Sequence, residues 1–102
     1  MTHKVIRGIH DKNITELINY LLEEKDYVML EAKVEYPRFS DVIGEIDLLG
    51  LRKSGLDFFE VKSNYSHKSF DKAQKQLQRA RNYFNIQGND YFYSNGKLLR
   101  IR

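Results

Sequence analysis

Apolar residues fall at Ile14, Leu17, Ile18, Leu21 and Leu22, the spacing i, i+3, i+4, i+7, i+8 that predicts an amphipathic helix over 13–25. Asn13 stands where an N-cap would, with Glu16 as its capping-box partner. From 27 to 36 the period changes to two. Leu30, Ala32, Val34 and Tyr36 take one face and Glu31, Lys33 and Glu35 the other, a half-buried strand that Pro37 and the polar stretch to Ser40 end. Gly44–Leu51 and Leu56–Lys62 read as two further strands, joined by a tight loop at Arg52-Lys53-Ser54-Gly55. A polar loop, Ser63 to Ser69, carries His67 and Lys68. It leads into a second helix over 69–86, whose buried stripe is Phe70, Ala73, Leu77, Ala80 and Phe84, with Gly88 as its stop. Asn95-Gly96 is a type I′ hairpin signal between Tyr91–Tyr93, a candidate sheet edge, and Leu98–Ile101.

The order is α-β-β-β-α-β-β, which predicts an α/β sandwich with a central mixed sheet flanked by helices. At 102 residues the chain is one domain, its core running from about 13 to 102. Residues 1–12 are polar and basic without a period, and that end is expected to fray. Hydrophobic content of 41% and aromatic content of 13% describe a folded globule. No apolar run approaches the roughly 18 residues of a membrane span, and no leader is expected. Zero cysteines exclude disulfides and thiolate metal sites and fit a cytoplasmic protein. A net charge of +3 suits a polyanionic partner without requiring one. The chain has no Gly-rich phosphate loop, so no nucleotide cofactor is expected.

The chemistry concentrates in Gly44–Lys62, GEIDLLGLRKSGLDFFEVK. Strand alternation puts Phe58, Glu60 and Lys62 on one side and Phe59 and Val61 on the other, with Asp47 pointing opposite to Ile46 and Leu48. A hairpin centred between Lys53 and Ser54 sets Asp47 opposite Glu60, with side chains about 5 Å apart. Two carboxylates that close repel, but they are oxygen ligands for a hard cation such as Mg²⁺. Such an ion polarises a phosphodiester and acidifies a bound water, and Lys62 is placed to orient that water or meet the developing charge. The competing reading is a solvated cross-strand ion-pair cluster on an exposed sheet face. The apolar flanks Ile46, Leu48, Leu49, Phe58 and Phe59 weigh against it, because they make the strands central.

Asp47, then twelve residues, then Glu60-Val61-Lys62, between two helices, resembles the PD-(D/E)XK nuclease superfamily. The phrases GEIDLLGL and LDFFEVKS look most like its Holliday-junction-resolvase-like branch, which includes the small YraN-type proteins. The resemblance covers roughly residues 13–86 and implies a restriction-endonuclease-like fold. It implies DNA cleavage with Mg²⁺ or Mn²⁺ by activated water, leaving 5′-phosphate ends, on branched or single-stranded structures among others. It further implies that Asp47, Glu60 and the main-chain carbonyl of Val61 hold the metal, that Lys62 is the catalytic lysine, and that two copies pair as a homodimer. Relatives carry a further acid on the first helix, for which Glu16 is the candidate, with backbone capping as its other reading. They also carry a Lys-Gln or Gln-Lys pair on the second helix, matched by Gln74-Lys75, for which a solvated basic face is the alternative. Lys68, Lys72, Lys75, Arg79 and Arg81 are placed to meet DNA phosphates, and His67 to touch substrate. Tyr65 and Tyr91 read as core or rim aromatics ahead of base-stacking ones. A non-catalytic nucleic-acid-binding module on the same fold is the alternative function, and a structural or interaction protein the third.

Overall fold

The computed structural model describes residues 9–24 and 26–101. The polar N-terminal stretch 1–8 and Lys25, at the expected end of the first helix, lie outside the described residues. Along the chain run α1 (Ile9–Glu24), β1 (Met29–Pro37), a one-turn 3₁₀ segment (Phe39–Asp41), β2 (Ile43–Arg52), β3 (Gly55–Val61), α2 (His67–Phe84), β4 (Asp90–Ser94) and β5 (Lys97–Arg100). The five strands form one mixed sheet in the order β1-β2-β3-β4-β5, antiparallel except for the parallel β3–β4 pair that α2 connects. Among the described residues no helix is long and apolar enough to cross a membrane.

The two helices lie on opposite faces of the sheet. Ile14, Leu17, Ile18 and Leu21 of α1 pack on Leu30, Leu48, Phe59, Val61 and Tyr93. Leu77 and Ala80 of α2 pack on Tyr36, Ile46, Leu49, Leu56 and Phe58. The fifth residue of the expected α1 stripe, Leu22, is instead 48% exposed. On the first strand the expected single apolar face is divided. Leu30 and Ala32 belong to the α1 side, Val34 and Tyr36 to the α2 side. Lys33, between them, has a left-handed backbone (φ 56), which breaks the two-residue alternation.

Helix boundaries correct three further expectations. Asn13 is not an N-cap, because α1 is already under way there. Helix α2 begins earlier than the spacing suggested, since Ser66 caps it and makes a reciprocal capping box with Ser69. His67 and Lys68 are therefore in its first turn, not in a loop. It ends at Asn85, which takes the left-handed conformation (φ 52, ψ 42). Gly88 serves close packing instead, since a Cβ there would stand 1.8 Å from the Leu56 carbonyl oxygen.

The last hairpin turns on Asn95 and Gly96 with φ of 46 and 83, both positive as a type I′ turn requires. Strand β4 lies between β3 and β5, so Tyr91–Tyr93 is interior and not an edge. The edges are β1 and β5.

Candidate active site

The β2–β3 ladder runs Arg52↔Gly55 to Leu48↔Phe59 and stops one step before Asp47 and Glu60. The register is the one that sets those residues opposite each other. At this level the two strands part, and the Asp47 carboxylate takes the place of a backbone partner, Oδ2 accepting from the Val61 N–H at 2.8 Å. The faces change here on β2 as well. Ile46 packs toward α2 and Leu48 toward α1, so the two do not share a face as alternation implied. Strand β3 keeps its period: Phe58 faces α2, and Phe59 and Val61 face α1.

Asp47, Glu60 and Lys62 line one open cleft of about 340 Å³, whose walls include Tyr36, Arg38, Glu45, Gln76 and Arg79. Asp47 is 6% and Glu60 3% exposed, which rules out a solvated surface cluster. Lys62 Nζ stands 3.2 Å from Glu60 Oε2. Burial first, and then the charge of Asp47, push the Glu60 carboxyl up to about 8, against the pull of Lys62. The end of β3 is pinned from both sides: the Lys62 N–H donates to the Tyr93 carbonyl at 3.0 Å. The Lys62 carbonyl accepts from Asn13 Nδ2 at 3.2 Å.

Two buried carboxylates meeting in an open cleft are a hard-oxygen donor set. Mg²⁺ needs one or two carboxylates and keeps several waters, so the pair fits such an ion. Among the described residues no group of three or more His, Cys, Asp or Glu side chains converges on a single cation position. Lys62 is a cation that partly offsets the Glu60 charge.

The structure separates the other sequence candidates. Arg79 lines the cleft. Gln74 and Lys75 do not. They line a different shallow depression with Gln78 and Ile101, and the α2 residue that reaches the cleft in their stead is Gln76. Its Oε1 is buried with no hydrogen-bond partner among the described residues. The sequence carried a signal for it: Gln76 falls between Ala73 and Ala80 at i+3 on the buried stripe, where a polar side chain needs a reason. Glu16 is not among the cleft residues. It sits on an exposed part of α1, 4.0 Å from Lys12, and its charge, after burial, helps raise the Tyr93 hydroxyl. Lys68 and Lys72 are exposed on α2, and His67 packs its ring against Tyr65. Arg81 turns inward. It pairs with Asp90, donates to the Leu56 carbonyl and lies 4.0 Å over the Phe58 ring, so it holds the fold together and is not open to a phosphate. Tyr65 packs on Phe70 and Phe92, and Tyr91 stacks on Phe59, the core and rim roles expected of them.

Gly44 sets the shape of the cleft wall. It pairs with Tyr36 across β1–β2, and a Cβ there would stand 2.4 Å from Tyr36 Cζ. Gly44→Ala must therefore push the ring from its place against Tyr83 and Phe84. The expected destabilisation is about 1–3 kcal/mol, the usual range for overpacking. Denaturant unfolding measures it, and a change within ~0.5 kcal/mol would show that the ring is free to move.

No family model matches this chain, and no curated protein matches it.

Proposed function

We propose that this cleft is the active site of a metal-dependent endonuclease that hydrolyses DNA phosphodiester bonds on a PD-(D/E)XK, restriction-endonuclease-like fold. The observation that carries the reading is the pairing of Asp47 and Glu60, both buried, in an open cleft with the Lys62 ammonium on Glu60. Two buried carboxylates side by side are costly, because burial and mutual repulsion both oppose their charge, and a divalent cation is a ligand that offsets both.

Asp47 and Glu60 would hold Mg²⁺ or Mn²⁺, with the Val61 carbonyl as the third protein donor that the family resemblance adds. A bound Mg²⁺ supplies Lewis acidity to the phosphate and acidifies water. The Val61 N–H fixes the Asp47 carboxylate before any ligand arrives. Lys62 carries the cation that meets charge developing on the phosphate, and Asn13 and Tyr93 hold its backbone still. Gln76 offers an acceptor for a water or a substrate hydroxyl, and Arg38 and Arg79 offer contacts to flanking phosphates. The resolvase-like reading adds branched or single-stranded DNA as substrate and a homodimer that cuts two strands.

The test is incubation with supercoiled plasmid, single strands and a four-way junction, in Mg²⁺, Mn²⁺ or EDTA. Cleavage is expected with either metal and none with EDTA. Asp47→Asn and Lys62→Ala should each lower the rate by at least about 100-fold, the scale for removing one charge-stabilising group. Cleavage that survives both substitutions would sink the site assignment. Binding with no cleavage in either metal would leave a nucleic-acid-binding module on this fold.

A further inference from the structure

Phe39 is 92% exposed, the most exposed large hydrophobic among the described residues. Val42 and Ile43, just after it, are 47% and 57% exposed. A phenyl ring left in water forgoes the transfer free energy that burial returns, and here the backbone holds it there. The Arg38 N–H donates to the Val42 carbonyl at 2.7 Å and the Val42 N–H to the Phe39 carbonyl at 3.1 Å, closing the turn on itself. Arg38 and Ile43, which bracket the turn, both line the cleft that contains Asp47, Glu60 and Lys62. An aromatic ring thus stands on a closed turn at the cleft mouth, with a guanidinium at its base.

That combination suits a nucleobase attached to its phosphate. Every base has a π-face that stacks on an aromatic ring, and Arg neutralises the adjoining backbone. A second protein molecule suits it less. A stable dimer uses roughly 20–30 residues a side, whereas this patch has three apolar side chains among the charges of Arg38, Asp41 and Glu45. In continuous duplex the base faces are already covered by their neighbours, so the ring can reach one only where the stack is open. We propose that Phe39 is a stacking platform for an unstacked base next to the phosphate in the cleft, which makes single-stranded or branched nucleic acid the preferred ligand over continuous duplex. The position of that phosphate rests on the nuclease reading above.

Binding measured in EDTA separates the two. The chain has no tryptophan, so Phe39→Trp introduces a single fluorescent reporter at the position in question. Its emission should be quenched by a single-stranded oligonucleotide and by a four-way junction, and far less by a matched duplex at the same salt. Phe39→Ala should weaken binding of the single strand and the junction by about 5- to 100-fold, the range for losing one base stack, and Phe39→Trp should retain it. Val28→Ala, just before the opposite end of β1 and also exposed, should change neither affinity. Equal affinity of the unsubstituted chain and Phe39→Ala overturns the proposal, as does absence of nucleic-acid binding. Self-association that Phe39→Ala abolishes overturns it too, and assigns the ring to a second copy. Stacking without cleavage in Mg²⁺ or Mn²⁺ upholds the platform and removes the nuclease; cleavage indifferent to Phe39 does the reverse.

Discussion

Glu60→Gln is expected to make the metal-free protein more stable at pH 8 while removing its response to Mg²⁺. The Glu60 carboxyl rises from an ordinary 4.5 to about 8 in the folded chain, through burial and the charge of Asp47, with Lys62 opposing. Between those values the folded state holds a proton that the unfolded chain has released. The Glu60 contribution to stability is therefore full below about pH 4.5 and falls as the pH rises toward 8. At ~1.4 kcal/mol per unit the loss is of the order of 4 kcal/mol, a large share of the 5–15 kcal/mol typical of a domain. The Gln side chain has no proton to lose, so its unfolding profile should be flatter, meeting that of the unsubstituted chain near pH 5 and lying above it at pH 8. Mg²⁺ at a hundred times its dissociation constant should return about 2.7 kcal/mol to the unsubstituted chain and little to the variant. Parallel pH profiles, or equal stabilisation by Mg²⁺, would show that Glu60 is neither strained nor a ligand.

The hairpin was legible because its geometry depends only on period and turn. Alternation along β3 and a two-residue turn at Lys53-Ser54 set Asp47 opposite Glu60, and the observed register agrees up to Leu48↔Phe59. The helix stripes were legible for the same reason, Ile14-Leu17-Ile18-Leu21 and Ala73-Leu77-Ala80 being buried as spaced. Local backbone departures were not. Nothing in EAKVE announces a left-handed Lys33, yet that residue divides β1 between two cores. Helix ends were misplaced because serine and asparagine stop or start helices through hydrogen bonds that many sequences offer and few use.

On α2 the difficulty was rotational. Successive residues are about 100° apart, so placing Gln74-Lys75 at the cleft in place of Gln76 moves the contact to another face, although Arg79 does line it. Arg81 could not be told from its basic neighbours, because what buries it is Asp90, on a strand beyond the helix. Asn13 was visible as a polar residue beside an apolar stripe, a position that capping explains as readily as a bond to the Lys62 carbonyl.

Asp57 stands outside the motif residues Asp47, Glu60 and Lys62, and replacing it should be among the most damaging single changes on β3. It is 1% exposed and accepts four hydrogen bonds, from the Tyr27 hydroxyl, two guanidinium nitrogens of Arg52 and the Asn89 N–H. Burial pushes its carboxyl up, but the bonds from Arg52, Tyr27 and Asn89 outweigh burial and hold it below its ordinary 3.8. Its stabilisation is accordingly present above about pH 3.8 and lost as the pH falls through the lower folded-state value. Asp57→Ala strands the Arg52 guanidinium and the Asn89 N–H, and should cost about 3–5 kcal/mol, lowering the melting temperature by roughly 12 °C or more. Combining Asp57→Leu with Arg52→Met should recover much of that, since a buried pair replaced by packed apolar groups is often neutral. A loss of ~0.5 kcal/mol or less for Asp57→Ala, the scale of a surface change, would refute the assignment. Asp57 and Glu60 are buried alike on one strand, yet their carboxyls shift in opposite directions, because four donors from the chain meet the first whereas the second has the Lys62 ammonium on one side and the Asp47 carboxyl on the other. A carboxylate whose needs the fold meets in full has a structural role. One left short of donors beside an open cleft is the one for which an external cation would supply what the chain does not.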